Sequence, residues 1–444
     1  MKIVIAGAGE VGCHLGKLLS REEQDITIVD TKEDRLAFLD ANYNLLTISG
    51  SPTSFSVLRQ AGVADCDLFI AVTPSETSNL LACSIAKSFG AKKTIARIDN
   101  YEFLQSLHSD FFQQQGVSAM MYPELLAAAE IIKALKRNWV RFWFEIHDGE
   151  LLVVGVKIRE NAHLSGKQLK SLSMEEHFFH VSAIKRNRQT IIPRGDDFIY
   201  PNDILYFTTT KDHINELRDI CGKTKHELHH LLVLGGSHIA VRLAALVDDT
   251  FELKIIESNR DRCIELMGLC PNAQIVHANG RDVETLQEEG IDNVDAFIAL
   301  TDSSETNILT CLTAKEYGVK KTIAEVEDLQ FIALAENLNI GTTINKKLLL
   351  SGRIFQVMLD TDIESSKFMA LADADVAEIE VREGAKVTKA MVKDLKLSTD
   401  MTIAGLIRNG KGMLVRGDTL IQPGDHVVVL FLNTAMHKIE KLFI

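Results

Sequence analysis

Residues 71–96 read AVTPSETSNLLACSIAKSFGAKKTIA, and residues 299–324 read ALTDSSETNILTCLTAKEYGVKKTIA. Each residue of the first stretch has its counterpart 228 positions on: Asn79 with Asn307, Cys83 with Cys311, Lys87 with Lys315, Gly90 with Gly318. Upstream, Gly62 pairs with Gly290 in the same register. A repeat of this kind decides the architecture before any single element does. A second repeated stretch, RGDDFIYPND at 194–203 and RGDTLIQPGD at 416–425, divides each half into two parts.

In the first part the runs Lys2–Ala6, Ile26–Asp30, Leu45–Ser49, Asp67–Thr73 and Thr94–Ile98 are apolar nearly throughout and alternate with helical stretches. Continuous apolar strands separated by helices predict a parallel sheet covered on both faces. The second part has short alternating strands and turn signals at Pro201-Asn202-Asp203 and Pro423-Gly424-Asp425, which suit a small α+β module. The predicted fold class is therefore α/β, with two Rossmann-like doubly wound parallel sheets, each followed by a small α+β module. The four domains span 1–138, 139–222, 229–362 and 368–444. Amphipathic stretches at Pro123–Lys136 and Lys346–Leu359 read as crossover or docking helices, and Gly222–His230 and Asp360–Ala374 as linkers.

The 444 residues, 46% hydrophobic and 25% charged, suffice for several cores. No run approaches the roughly 18 apolar residues of a spanning helix, and Lys2 leads straight into a strand without a cleavable leader pattern. Seven scattered cysteines, with no C-x-x-C pair, suit reduced thiols in a cytoplasmic protein. A net charge of -13 disfavours a nucleic-acid partner.

GAGEVG at residues 7–12 follows the first apolar run and opens a helical pattern through Leu15, Leu18 and Leu19. Gly7 permits the tight turn, Gly9 lets backbone approach a pyrophosphate, and Gly12 lets the helix pack on its strand. The helix N-terminus then favours the anion. Asp30 ends the second strand, where a carboxylate accepts from ribose hydroxyls and repels a 2′-phosphate, so NAD(H) is preferred over its phosphorylated form. The second copy reads Gly235-Gly236-Ser237-His238-Ile239-Ala240, with Glu257 in the place of Asp30. Ser237 and Ala240 replace Gly9 and Gly12. Ligands of open parallel sheets bind beyond the carboxyl ends of the strands. This adds Gly50, Ser51, Thr73, Pro74 and Arg97 to the first cleft, and Ala278, Asn279, Thr301 and Asp302 to the second. Glu325 stands where the first copy has Arg97, and reads as a phosphate partner turned repeller.

Three other signals carry no chemistry. His226-Glu227-Leu228-His229-His230 matches H-E-x-x-H, but it runs directly into a strand, so its histidines do not share a helical face. Arg-Gly-Asp at 194–196 and 416–418 recurs at matched positions and reads as a turn. His180 is a lone histidine after Phe178-Phe179, a packing residue rather than the acid or base that a dehydrogenase requires.

On GAGEVG with Asp30, on AGVADCDLFIAVTPSETSNLLAC (61–83), on IARIDN (95–100) and on the two C-terminal modules, the chain resembles the TrkA family of tandem RCK (KTN) proteins, NAD-binding regulators of Trk-type potassium uptake. The resemblance implies dinucleotide contacts from Gly7, Ala8, Gly9, Glu10, Val11, Asp30, Thr73 and Arg97. In the second copy it implies contacts from Gly235, Gly236, Ser237, His238, Ile239, Glu257 and Thr301. Ser51 departs from the aspartate usual after that glycine. The second cleft is open to NAD, to ATP or ADP, or to nothing. The resemblance further implies a non-enzymatic regulatory subunit, peripherally attached to the inner face of the cell membrane. It would form a homo-oligomeric gating ring, a tetramer, beneath a potassium-transporting membrane subunit of the Trk type. A regulator of another cation transporter or antiporter, and an NAD-dependent oxidoreductase, are the alternatives.

Overall fold

A computed structural model describes residues 1–21, 24–175, 178–187, 189–362, 366–370, 374–395, 397–432, 439 and 441–443. In the first Rossmann-like part, β1 (Lys2–Ala6), β2 (Asp25–Asp30), β3 (Leu46–Ser49), β4 (Leu68–Ala71), β5 (Lys93–Arg97) and β6 (Ala119–Met121) alternate with helices. These are α1 (Glu10–Arg21), α2 (Glu33–Asn42), α3 (Phe55–Gln60), α4 (Glu76–Phe89), α5 (Ser106–Gln114) and α6 (Pro123–Lys136). All pairings are parallel, in the order β3-β2-β1-β4-β5-β6. The order reverses between β1 and β4, which opens a crevice at their carboxyl ends. Ile3, Val4, Ile5, Leu68, Phe69 and Ile70 are fully buried, as strands covered on both faces require. The short edge strand β6 was not read from the sequence, since three residues leave no periodicity to detect.

The first small module contains β7 (Phe142–Ile146), β8 (Leu151–Lys157), α7 (Leu169–Glu175), β9 (Phe179–Arg186), β10 (Gln189–Ile191), β11 (Ile204–Thr209) and α8 (Ile214–Ile220). Its sheet is antiparallel, in the order β10-β9-β11-β8-β7.

The plan then recurs. The second Rossmann-like part has β12 (His230–Leu234), α9 (His238–Leu246), β13 (Glu252–Glu257), α10 (Arg260–Leu269), β14 (Ala273–His277), α11 (Val283–Glu288), β15 (Ala296–Ala299), α12 (Ser304–Glu316), β16 (Lys321–Glu325), α13 (Leu329–Asn337), β17 (Thr342–Ile344) and α14 (Lys346–Asp362). Its order is β14-β13-β12-β15-β16-β17, again all parallel. Matched serines cap matched helices: Ser75 Oγ accepts from the Ser78 N–H at the start of α4, and Ser303 Oγ from that of Thr306 at the start of α12. The second small sheet has β18 (Ser366–Ala370), β19 (Asp375–Glu380), β20 (Met401–Arg408), β21 (Lys411–Leu414) and β22 (His426–Phe431), in the order β18-β19-β22-β20-β21. The stretch 360–374 is therefore not a plain linker, because β18 lies within it and pairs with β19.

Like packs with like. One compact unit comprises Met1–Asn138 with His226–Ile354, and the other Trp139–Lys225 with Phe355–Ile444. In the first unit, α6 buries Ala127, Ala128, Ile131 and Leu135 in the core of the second Rossmann-like part, against Ile239, Leu243 and Ala244 of α9. In the second unit, Leu151, Val153, Ala183 and Tyr206 of the first small sheet share a core with Val376, Ala404, Val428 and Leu430 of the second.

The repeated RGD stretches are turns, closed by the Asp197 N–H on the Arg194 carbonyl and the Thr419 N–H on that of Arg416. The aspartates that end each stretch have a structural task. Arg186 donates through Nε and Nη2 to the buried Asp203, and Arg408 repeats this two-pronged bond with Asp425. Residues 223–229 are non-helical, which removes the geometry that an H-E-x-x-H metal site needs. Among the described residues no helix is long and apolar enough to cross a membrane.

Candidate nucleotide-binding clefts

The glycine loop between β1 and α1 is held by its own strand ends. Gly7, at φ +113°, donates its N–H to the Val29 carbonyl at 2.8 Å. Asp30 Oδ2 accepts from the Ala8 N–H at 2.5 Å, while Oδ1 accepts from the Lys32 N–H at 2.8 Å. Asp30 is thus an anchor of the loop as well as a candidate ribose partner. Each carboxylate oxygen retains a lone pair for a further donor. A Cβ on Gly12 would lie 1.8 Å from the Gly7 carbonyl oxygen, so that position requires glycine for close approach. A Cβ on Gly9 would meet nothing within 4 Å, so there the missing side chain leaves open space over the start of α1.

The other strand ends are tied together by Asn79, which is almost wholly buried. Its Oδ1 accepts from the Thr73 N–H and hydroxyl at 2.9 and 2.6 Å. Its Nδ2 donates to the carbonyls of Thr73 and Arg97 at 3.0 and 2.9 Å. Asn307 does the same for Thr301 and Glu325, at 3.0, 2.7, 2.9 and 2.9 Å. A buried amide with its hydrogen bonds satisfied sets the spacing of β4 and β5, and of β15 and β16. The identity of Asn79 and Asn307 within the repeat was the available signal for this role. Arg97 itself pairs with Asp99 at 2.7 Å. Pro74 and Ser51 lie exposed beside the first cleft, Ser51 sharing a hydroxyl contact with Thr53, and Gly50 donates its N–H to the Asp30 carbonyl.

In the second copy, Gly235, Gly236, Ser237, His238, Ile239, Glu257, Ala278, Asn279, Thr301 and Asp302 all line one cavity of about 800 Å³. Glu257 anchors the loop as Asp30 does, accepting from the N–H groups of Gly236 and Asn259, each at 2.7 Å. Ser237, where the first copy has Gly9, uses its side chain to cap α9, with Oγ accepting from the Ala240 N–H at 3.4 Å.

Glu325 is not a phosphate repeller facing this cavity. It is buried and lies 3.2 Å from Lys346 Nζ, which also reaches Glu327 at 2.8 Å and Glu124 at 3.7 Å. Burial raises the Glu325 carboxyl above its ordinary value, with Lys346 opposing. For Lys346, burial is outweighed by the carboxylates of Glu325, Glu327 and Glu124, which hold it firmly protonated. Lys346, unlike Glu325, is among the residues that line the second cavity, together with Arg262 and Arg281.

The two clefts also exchange groups. Glu124, at the start of α6 in the first copy, lines the cavity of the second, while Lys347 of the second copy pairs with Glu10 in the first glycine loop at 2.6 Å. Arg242 of α9 lies over the ring of Tyr101, its guanidinium carbon 4.1 Å from the centroid. Sequence reading missed these contacts. The reversed charges at 97 and 325, and at 124 and 347, in otherwise matched copies were their only trace.

TrkA-N domain models match residues 3–123 and 231–346, and TrkA-C domain models match 153–222 and 376–444. The Trk system potassium uptake protein TrkA of Vibrio alginolyticus is 30% identical, with 100% of this chain and 98% of that protein covered. TrkA homolog 2 of Methanosarcina mazei is 29% identical over the full length of both. Among solved structures, the GsuK channel matches with a TM-score of 0.60 at 15% identity, over 99% of this chain and 78% of that one. The same channel bound to NAD matches with a TM-score of 0.58 over the same shares. At that identity the likeness establishes the fold. With tandem TrkA-N and TrkA-C matches spanning most of its length, the chain belongs to the TrkA family.

Proposed function

We propose that the chain is a nucleotide-sensing regulatory subunit that binds NAD(H) and gates a separate potassium-transporting membrane subunit of the Trk type from its cytoplasmic side. The observation that carries this reading is the reciprocal contact between the clefts, Lys347 on the Glu10 loop and Glu124 in the second cavity. A ligand that settles on one loop alters the charges presented to the other copy. A gating protein needs such a device, because a ligand shifts an equilibrium only through differential affinity for its states.

The residues fit the dinucleotide. The N–H groups at the start of α1 and the open space at Gly9 suit a pyrophosphate. Asp30 has acceptor capacity for ribose, and Thr73 and Arg97 are held at the neighbouring strand ends. The second cleft, with Ser237 in place of glycine and Lys346, Arg262 and Arg281 on its wall, suits an adenine nucleotide such as ATP or ADP as well as NAD. Bound nucleotide would serve as an effector and not as a hydride carrier. Full-length relatives are named for Trk potassium uptake and a channel of like fold is bound to NAD, which supports a membrane partner and a nucleotide effector; beside that partner the chain would assemble as a homo-oligomeric ring, a tetramer.

The test is calorimetric titration of the full chain with NADH, NAD, NADPH, ATP and ADP, repeated on Asp30→Ala and Glu257→Ala. NADH binding well above NADPH and lost in Asp30→Ala supports the first site, and a second event lost in Glu257→Ala supports the second. Absence of any nucleotide binding, or NADH turnover with a small metabolite, overturns the reading.

A further inference from the structure

The second unit holds a constellation unconnected with nucleotide. Glu378 lies on β19, His426 opens β22, and His147 starts the turn between β7 and β8. Across the antiparallel pair, Glu378 sits opposite Val428 and Glu380 opposite His426, so Glu378 and His426 are diagonal neighbours on one sheet face. His147 comes from the other copy of the module, 231 residues away. The turn that delivers it is left-handed at three successive residues, with φ of +49° at His147, +55° at Asp148 and +92° at Gly149. Side chains rarely accept that conformation, so His147 and Asp148 hold it against their own preference. The turn is braced where Glu150 Oε2 accepts the Gly412 N–H at 3.2 Å.

Glu378 Oε1 lies 3.3 Å from His147 Nδ1 and 3.2 Å from His426 Nδ1, and the three donor atoms fall within 4.8 Å of one another. The imidazole centroids are 5.5 Å apart. Glu378 is only 4% exposed, and its second oxygen, Oε2, is buried with no hydrogen-bond partner among the described residues. A buried carboxylate with an orphaned oxygen is costly unless a cation offsets it.

We propose that His147, Glu378 and His426 form a zinc-type transition-metal site that joins the two small modules. Two imidazoles and one carboxylate are the ligands of a borderline-soft divalent ion. Calcium and magnesium, which ask for about six oxygens, are poorly served by a single carboxylate. With metal–ligand bonds of about 2.1 Å, the edge of a tetrahedral site is about 3.4 Å, which both histidine–glutamate separations nearly match. Only the gap between the histidines must narrow, and three protein ligands leave a fourth position for water or another donor. A metal held there pins the β7–β8 turn of one copy to two strands of the other. Binding thereby stabilises their shared core, by an amount that grows with the logarithm of metal concentration above the dissociation constant.

The test uses the full-length chain stripped with a chelator and titrated with Co(II), followed by visible ligand-field absorption, and with Zn(II), followed by calorimetry and thermal melting. Expected are one saturable site per chain, a rise in Tm with zinc, and an affinity reduced tenfold or more in both His147→Asn and His426→Gln. His147 lies on a turn outside the strand ladders, so His147→Asn keeps the fold, checked by its metal-free melting curve. Absence of a tetrahedral Co(II) spectrum, or metal affinity in the two variants equal to the parent, overturns the proposal, the second result by placing the metal on other histidines or cysteines.

Discussion

Two glycines of the first loop, three positions apart, are expected to fail in opposite ways when replaced by alanine. A Cβ on Gly12 would stand 1.8 Å from the Gly7 carbonyl oxygen and 3.0 Å from its carbon, while ordinary carbon–oxygen contacts begin near 3.3 Å. Something must therefore move by roughly 1.5 Å. The obstacle is backbone, held by the Gly7 N–H bond to Val29. Overpacking of this kind costs about 1–3 kcal/mol. At about 2–4 °C per kcal/mol for a unit of this size, Gly12→Ala lowers Tm by roughly 2–12 °C. Gly9→Ala adds its methyl group to open space, so stability stays within about 0.5 kcal/mol of the parent. That methyl group occupies the approach of a pyrophosphate, and NADH affinity falls about tenfold or more, equivalent to about 1.4 kcal/mol. Calorimetric melting and NADH titration on the two variants separate these effects. Unchanged NADH affinity in Gly9→Ala, or an unchanged Tm in Gly12→Ala, refutes the assignment of the loop.

Removing the ammonium in Lys346→Met leaves Glu325 buried beside Glu327 and Glu124, and costs about 3–5 kcal/mol in urea unfolding. The double variant Lys346→Met/Glu325→Gln is expected to regain most of that loss, and a double variant no more stable than the single would break the charge argument. His180, bonded to Thr402 at 3.3 Å, has its pKa lowered by burial from 6.5 to about 4. Between those values the unfolded chain binds the extra proton, so this residue's contribution is intact above pH 6.5 and is lost as pH falls toward 4. His180→Gln should flatten the stability profile over that window, and an identical slope in the variant would show that folding does not lower the pKa of His180.

The sequence by itself determined the duplication, the two parallel sheets and the two small modules, because these rest on local periodicity and on repeated turn residues. GAGEVG and the acids Asp30 and Glu257 located both glycine loops, since glycine geometry and strand ends are encoded within about thirty residues. Beyond that range sequence reading weakened. The edge strand β6 was too short to show a period, and β18 lay inside the segment 360–374 taken for a linker. Glu325 was read against Arg97 alone, when its partner Lys346 lies on α14. Only the tertiary structure decided that like packs with like, with α6 completing the core of the other Rossmann-like part and one small sheet covering the other. That choice depends on which apolar faces are complementary across more than a hundred residues, and no local pattern records it. The same packing brings Lys347 to Glu10 and His147 to Glu378, because charged partners drawn from distant segments meet only after the cores that carry them have formed.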